Sequence, residues 1–317
     1  MSELHQRYAP FVRGDAYGPM GCYVPAREKL RLALVWLTLL PLLKAAVCLA
    51  TLCSFAVVCT AARRLPLALQ RRLTPPLAWL HVRTVLLCCG FNWIRRTRIG
   101  SPSKVAPVCL VSNHVSWVDI LLFMSEVFPS FVAKATIRKL PLVGVISEAM
   151  GCIFVERETR GAGENGAAAA VRARLLARAS DPAGVAPLLL FPEGTTTNGS
   201  YLLPFKTGAF LTGAPVQPVL LRYRWRRFSP AWETITAARH FFLTFSQLHQ
   251  SLEVVYLPVY EPSAAEQADP ALYAAGVRAA MLRAGGLEAS PLTLADKRAY
   301  QAALMEEWTA SKTKKTA

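Results

Sequence analysis

Acidic residues are scarce in this sequence. Among 317 residues there are 20 Asp and Glu against 36 Lys and Arg, so the formal net charge is +16. Such a balance suits a polyanionic partner, such as nucleic acid, an anionic membrane surface or a phosphorylated ligand. The signatures of nucleic-acid binding are missing, since there is no zinc-finger spacing, no basic helix with heptads and no aromatic-glycine motif of an RNA-binding sheet. We therefore expect a membrane or a phosphorylated ligand as partner, and no nucleic acid.

Motifs for metals, nucleophiles and nucleotides are also absent. None of the eight cysteines forms a C-x-x-C pair, so a zinc site is not expected. The G-x-S-x-G, H-E-x-x-H and P-loop motifs do not occur either. Cysteines in apolar runs usually act as small hydrophobic residues, and we expect these to be reduced, in a protein that faces the cytosol.

Apolar residues are concentrated near the start of the chain. The run Leu32–Ala62 would be roughly 46 Å long as a straight helix, well beyond the ~30 Å hydrocarbon core of a bilayer. Pro41 and Lys44 interrupt it near the middle, and basic residues flank it on both sides. We expect a membrane helical hairpin with both ends on the cytosolic side. A second stretch, Leu73–Ile94, is expected to be interfacial. A buried helix pair of a soluble protein is the alternative, and no cleavable signal peptide is predicted.

From Val105 onward, short apolar runs alternate with helical stretches. Strands are predicted at Pro107–Ser112, Gly151–Glu156, Pro187–Phe191, Pro215–Tyr223 and Leu252–Tyr260. Helices are predicted at Ile120–Val127, Ala167–Ala179, Phe241–Gln250 and Pro270–Arg283. This alternation predicts an α/β fold with a mixed sheet flanked by helices. The expected organisation is a polar, loop-like segment 1–31, a membrane-embedded helical region 32–100, a catalytic domain 101–290 and a tail 291–317.

The first candidate motif follows the first predicted strand, from Asn113 to Asp119. His114 and Asp119 are five residues apart, which separates them by about 140° on a regular helix. They can meet if His114 lies in the loop after the strand and Asp119 folds back from the next turn. The Asp would then hold one imidazole nitrogen while the other takes a proton from a hydroxyl group. On its own, the spacing is equally typical of a surface histidine.

Two further motifs also lie at strand ends, where α/β sheets bind ligands. The segment Phe191–Thr195, with the sequence FPEGT, follows an apolar strand, although taken alone it also reads as a simple turn. The segment Gly151–Arg157 is a strand that ends at an arginine, which is a natural partner for phosphate but also common at a solvated strand end.

Taken together, these blocks resemble the glycerolipid acyltransferase superfamily, which includes the 1-acylglycerol-3-phosphate acyltransferases. Four blocks occur in the family's order, namely His114–Asp119, Lys134–Arg157, Phe191–Thr195 and Val216–Val219. The resemblance implies the glycerolipid acyltransferase fold, with the block-one histidine as base and the aspartate orienting it. It implies His114 and Asp119 as catalytic residues, and Arg157, Glu193, Gly194, Thr195 and Lys134 as substrate-binding residues. It also implies acyl-CoA as co-substrate, with no metal and no resident cofactor.

The C-terminal third resembles the lysophosphatidylcholine and lysophosphatidylethanolamine acyltransferases. The similar segments are Leu252–Tyr260, Asp269–Ala274, Leu294–Arg298 and Glu193–Gly199. Relatives that use lysophosphatidic acid typically have an arginine where this chain has Thr196, so a cation for a terminal phosphate is missing. We therefore expect a lysophospholipid with a phosphodiester head group as acceptor. A 1-acylglycerol-3-phosphate or glycerol-3-phosphate acyltransferase is the alternative.

Other functions are left open by the sequence. The residues Gly161–Gly166 match the GxGxxG of NAD-dependent oxidoreductases, but three residues separate the strand from it, so a flexible surface loop is favoured. The basic-aromatic strip Arg222–Arg227 suits an anionic lipid surface or a solvated edge strand, which keeps an inactive membrane-binding protein possible. Hydrolysis, with water as the acceptor, is a third alternative.

The end of the sequence bears on location. Lys314 and Lys315 match a dilysine pattern of the kind that retrieval receptors of the endoplasmic reticulum recognise, although a lysine-rich frayed terminus would look the same. We expect a protein of the endoplasmic reticulum membrane whose catalytic domain faces the cytosol.

Overall fold

The computed structural model describes residues 3–18, 24–101, 103–156 and 162–316. Side chains in the last of these ranges are described from 166 to 309. The predicted phosphate ligand Arg157 and the first glycine of the GxGxxG motif, Gly161, lie outside the described residues.

A seven-stranded mixed sheet forms the centre of the molecule, in the order β1-β8-β7-β2-β5-β3-β4. The strands β2, β3, β4, β5 and β7 run parallel to one another, whereas β8 is antiparallel to β7 and β1 is parallel to β8. A two-stranded pair, β6 with β9, lies apart from this sheet. The strands are β1 Trp93–Arg98, β2 Cys109–Ser112, β3 Ser130–Lys134, β4 Ile153–Val155, β5 Leu188–Leu190, β6 Tyr201–Leu202, β7 Val216–Arg224, β8 Ser251–Tyr256 and β9 Glu288–Ala289.

Helices cover both faces of the sheet. They are α1 Glu3–Arg7, α2 Ala26–Leu37, α3 Leu40–Ala62, α4 Leu67–Cys88, α5 Val118–Glu126, α6 Val143–Ala149, α7 Ala162–Ser180, α8 Ala237–Phe245, α9 Ala264–Ala268, α10 Pro270–Gly285 and α11 Leu294–Thr316. Successive strand residues point to opposite faces, so Leu110 joins the core formed with α3 to α6, while Cys109 and Val111 join the core formed with α7 and α10. The predicted α/β architecture is confirmed.

The sequence prediction missed two strands of the seven-stranded sheet, β1 and β3, and the small β6–β9 pair. In β1 only Ile94 is buried, because β1 pairs with β8 alone and carries arginines on its exposed positions. An edge strand with this composition lacks the apolar alternation that marks strands. The stretch Leu73–Ile94 therefore divides between α4 and β1. The strand β3 is short, and its last residue, Lys134, is exposed.

Two of the local alternatives are settled by the topology. The strand β7 lies between β8 and β2, so the strip Arg222–Arg227 is not a solvated edge strand; it begins at the end of an internal strand and continues beyond it. Residues 162–166 belong to the first turns of α7, so the predicted flexible loop is wrong for this part of the GxGxxG motif.

The hairpin predicted for the apolar N-terminal run is not confirmed. The run divides at Leu39, whose φ of 59° is left-handed, just before Pro41 at the start of α3. The two halves do not pair along their length; α3 packs along α4, while α2 stacks Trp36 on Phe242 of α8 at 4.6 Å. Among the described residues, α3 is the one helix long and apolar enough to cross a bilayer, with a hydropathy of 2.2.

The two ends of the chain pack together on the domain. Tyr8 packs against Tyr300 of α11 with a ring-centroid distance of 5.3 Å, and both belong to a small core that includes Phe11. Asn198, in the loop after β5, donates to the carbonyl oxygen of Ala9 at 2.8 Å. Segment 3–18 was predicted to be loop-like; it contains α1 and a 3-10 helix, and it holds the loop after β5 in place.

Candidate active site

The predicted motifs converge where the parallel strands of the sheet have their carboxyl ends. Because β2, β3, β5 and β7 are parallel, their carboxyl ends lie at the same edge. The loop 113–117 leaves β2 there, and the loop 191–199 leaves the neighbouring strand β5. Lys134, the last residue of β3, is exposed at the same edge. The topology thus brings together the first three sequence blocks, as far as they are described.

His114 and Asp119 are in direct contact. His114 lies in the loop after β2, and its Nδ1 is 2.8 Å from Oδ2 of Asp119, which is in the first turn of α5. The same carboxylate oxygen accepts from the backbone N–H groups of Val115 at 2.7 Å and Ser116 at 2.9 Å. The five-residue spacing therefore works because the aspartate caps the turn that separates it from the histidine.

Tyr223 completes the surroundings of Asp119 and was not recognised in the sequence. Its hydroxyl group donates to Oδ1, the oxygen that His114 does not use. Burial, with the nearby Asp119 charge, raises the pKa of Tyr223 well above its usual 10.0, so the phenol stays protonated as a donor. The alternation of side chains along β7 could have indicated Tyr223 as a site residue. It points to the same face of the strand as Leu221, next to the loop after β2.

The imidazole ring of His114 is held in a fixed orientation. It stacks on Phe191 with a centroid distance of 4.0 Å and an interplanar angle of 13°. Asn113 pins the loop to β7, since its side-chain amide exchanges hydrogen bonds of 2.8 and 3.0 Å with the backbone of Leu221. With Nδ1 donating to Asp119, Nε2 is the acceptor nitrogen, an assignment that follows from the hydrogen bond. Nε2 makes no hydrogen bond within the described part of the chain, and 19% of the side chain is exposed.

Glu193 is placed differently from the substrate-binding position expected of it. It is buried, and its two carboxylate oxygens accept from the backbone N–H groups of His114 at 2.9 Å and Leu203 at 3.0 Å. Burial raises its pKa to about 8, against the opposing effect of these two N–H donors. Its oxygens are occupied within the protein, so Glu193 braces the loop after β2 and is not free to contact a lipid.

The rest of the third block forms a turn with one partly exposed and one buried side. Gly194 has a left-handed φ of 70°, which glycine adopts without strain. Thr195 is half-buried, whereas Thr196 is buried and accepts from Nζ of Lys297 at 2.7 Å. Lys297 also donates to the buried carboxylate of Glu233 at 2.8 Å. The side chain at position 196 therefore faces the interior, and the argument that a cation is missing from the substrate site at this position is wrong for this chain.

Two cations outside the four blocks occupy different places. The Arg222 guanidinium donates to the carbonyl oxygens of Ala284 and Gly285 at the end of α10, on the face of the sheet opposite Tyr223. Lys206, in contrast, lies over the turn at Gly194.

The hydrogen bonds that Glu193 accepts from the His114 and Leu203 backbone lead to a prediction about stability. Glu193→Gln replaces one acceptor oxygen with an amide NH₂ group, so either the His114 or the Leu203 N–H loses its partner. We expect a loss of about 1–3 kcal/mol in the free energy of unfolding, measured by denaturation in detergent. The exposed Glu261→Gln serves as control and should behave like the wild type.

The same variant also tests the raised pKa. Between the usual value of 4.5 and about 8, the folded protein binds a proton at Glu193 that the unfolded chain has released. The contribution of Glu193 to the free energy of unfolding should therefore fall as the pH rises through this window, and the Gln variant should show a flatter dependence. A variant with wild-type stability and an unchanged pH dependence would contradict the brace.

Comparisons with known proteins show acyltransferases among the similar sequences. The model of the acyltransferase family matches residues 95–222. The lysophospholipid acyltransferase LPEAT1 of Arabidopsis thaliana is 39% identical over 96% of this chain and 88% of its own length. Human lysophosphatidylcholine acyltransferase 1 is 32% identical over 86% of this chain, which spans 51% of that protein.

A solved structure shows the same fold. The 1-acyl-sn-glycerophosphate acyltransferase PlsC from Thermotoga maritima superposes with a TM-score of 0.51 and 19% identity, covering 80% of this chain and 97% of its own. At this identity the likeness concerns the fold. The family, however, is shown by the long alignment with the Arabidopsis protein, which includes the loops of the candidate site. The chain belongs to the PlsC-type acyltransferase family.

Proposed function

We propose that this protein transfers a fatty acyl group from acyl-CoA to the free hydroxyl group of a lysophospholipid. The observation that carries the proposal is the contact of His114 with Asp119, which leaves Nε2 open at the carboxyl edge of the sheet. The names of its relatives, lysophospholipid and lysophosphatidylcholine acyltransferases, support the acceptor class.

In the proposed reaction, Nε2 of His114 takes the proton from the lysophospholipid hydroxyl as its oxygen attacks the thioester carbonyl. The intermediate collapses with loss of the CoA thiolate, which takes up the proton from the imidazolium. Asp119 keeps the proton on Nδ1 and stabilises the transient positive charge on the ring. A thioester is already an activated acyl donor, so we expect neither a metal nor a resident cofactor to be needed.

The proposed substrate-binding residues are supported by different kinds of observation. Lys134, Gly194 and Thr195 lie at the correct edge of the sheet for contact with substrates, so we retain them as binding residues. Glu193 acts instead as a positioning residue, because its carboxylate holds the backbone N–H of the proposed base. For Arg157, the proposed phosphate ligand, the sequence resemblance is the support.

The N-terminal helices are proposed to embed in one leaflet of a membrane. Many large apolar side chains of α2, α3 and α4 are exposed, among them Leu37, Leu43 and Val57 at 61–77%. Both ends of α3 are nevertheless tied to the domain. Lys44 donates to the Gln247 carbonyl oxygen at 2.6 Å, and Arg63 contacts Glu148 of α6 at 2.6 Å.

This attachment favours helices that lie along the membrane surface. A helix of 23 residues is about 34 Å long, so a spanning α3 would place its two ends on opposite sides of the bilayer. One domain cannot contact both ends across a membrane. We therefore propose that both termini and the catalytic domain share the cytosolic side. The endoplasmic reticulum as the location stays a prediction of the sequence alone.

Protease sites introduced into the protein, and assayed in membrane vesicles, test this placement of the helices and the termini. Protease sites at the N-terminus, at the C-terminus and in the 63–66 turn should all be cleaved from the side of the catalytic domain. Protection of the 63–66 site, with cleavage of both termini, would instead indicate that α3 and α4 both cross the bilayer. Termini on opposite sides would contradict both arrangements.

Removal of the proposed base tests the chemistry. His114→Ala should lower the transfer rate by a factor on the order of 10²–10⁴ without loss of folding or membrane binding. Asp119→Asn should also be severe, since the neutral amide favours the wrong imidazole tautomer. His249→Ala, which removes an exposed histidine, is the matched control. Near-normal turnover by the His114 variant would exclude its role as base.

A competition experiment tests the acceptor. The purified enzyme receives one acyl-CoA and an equimolar panel of lysolipids, and products are quantified by mass spectrometry. The expected order of preference rests on the relatives, which are named as lysophospholipid and lysophosphatidylcholine acyltransferases, and not on the side chain at position 196. We expect lysophosphatidylcholine or lysophosphatidylethanolamine to outcompete lysophosphatidic acid. A product mixture dominated by phosphatidic acid would overturn this preference while leaving acyl transfer intact.

A further inference from the structure

Lys206 is held across the turn at Gly194. A Cβ atom added to Gly194 would lie 2.8 Å from Cε and 3.0 Å from Nζ of Lys206. The backbone N–H of Lys206 donates to the carbonyl oxygen of Pro192 at 2.8 Å, which fixes the lysine beside the turn. Glycine at position 194 therefore does more than allow a left-handed φ, because any side chain there would push the Lys206 ammonium group away.

No side chain in the described part of the chain neutralises the positive charge of Lys206. The residue is exposed, and in the described part of the chain its ammonium group makes no ion pair or hydrogen bond. The nearby carboxylate of Glu193 is turned inward, where the backbone N–H groups of His114 and Leu203 occupy it. An unpaired cation is thus available beside the loop that carries the proposed base.

We infer that Lys206 binds the phosphate of the acceptor lipid, an assignment that rests on the proposed acyl transfer to a lysophospholipid. In a lysophospholipid, only two or three glycerol carbons and an ester oxygen separate the reacting hydroxyl from the phosphorus atom. When the hydroxyl reaches Nε2 of His114, the phosphate must therefore lie close by. The Gly194 turn is adjacent, because its neighbour Glu193 accepts from the His114 backbone at 2.9 Å and Phe191 stacks on the imidazole ring.

The phosphates of acyl-CoA are the other possible ligands, and the chemistry of the donor argues against them. The whole pantetheine arm separates the thioester from the nearest CoA phosphate. A cation beside the turn that contacts the His114 loop meets the acceptor phosphate first, while CoA phosphates must bind farther from the reaction centre.

Kinetics with separate substrates test the assignment. Lys206→Met, Lys206→Arg and wild type are compared with short-chain lysophosphatidylcholine below its micellar concentration, which separates site binding from adsorption to a lipid surface. Lys104→Met is the matched control, because it removes an exposed lysine before β2, at the opposite end of that strand. KM for the lysolipid, KM for the acyl-CoA and kcat are measured, together with thermal unfolding.

We expect Lys206→Met to raise KM for lysophosphatidylcholine by about tenfold, because a charge-assisted contact present in both ground and transition states is lost. Values of kcat and of KM for acyl-CoA should change by less than about twofold, Lys206→Arg should retain most of the affinity, and Lys104→Met should match the wild type.

An unchanged lysolipid KM, a rise confined to the acyl-CoA KM, or an equal loss with both substrates would each overturn the assignment. These outcomes are distinct from failure of the proposed function itself, which would appear as a wild-type enzyme that acylates no lysolipid.

Discussion

The carboxylate of Asp119 is fully buried, and four donors of the protein surround it. They come from the His114 ring, from the backbone of Val115 and Ser116, and from the Tyr223 hydroxyl. A buried carboxylate is costly unless hydrogen bonds compensate for lost hydration. Here the compensation ties together the loop after β2, the first turn of α5 and the end of β7. The requirement to satisfy one buried charge thus fixes the geometry of the proposed catalytic base.

The loop after β5 is held in position by parts of the chain that are distant from it in sequence. Glu193 braces it against the loop after β2, while Asn198 and Lys297 fasten it to the N-terminal segment and to α11. These contacts orient the loop so that Thr196 faces inward and Gly194 faces Lys206. The ends of the chain therefore belong to the support of the active site, although neither contains a residue that we propose to contact substrate.

Sequence reasoning predicted the features that local pattern determines. His114 and Asp119 could be paired because His114 follows the end of β2 and a capped turn brings Asp119 back to it. The alternation of strands and helices predicted the mixed sheet. The polar edge strand β1 could not be recognised because its sequence lacks an apolar pattern. It is a strand because it pairs with β8. Thr196 and Lys297 are 101 residues apart. The direction of the Thr196 side chain is set by tertiary contacts that no local pattern contains.

The central claim is that the open imidazole of His114 delivers an acyl group to a lipid hydroxyl. The most direct measurement follows release of free CoA by the purified protein from one acyl-CoA, with and without lysophosphatidylcholine, alongside the phospholipid formed. The account predicts that CoA release requires the lysolipid and equals the new phospholipid mole for mole. Equal release of CoA without lysolipid, accompanied by free fatty acid, would contradict acyl transfer and establish hydrolysis in its place.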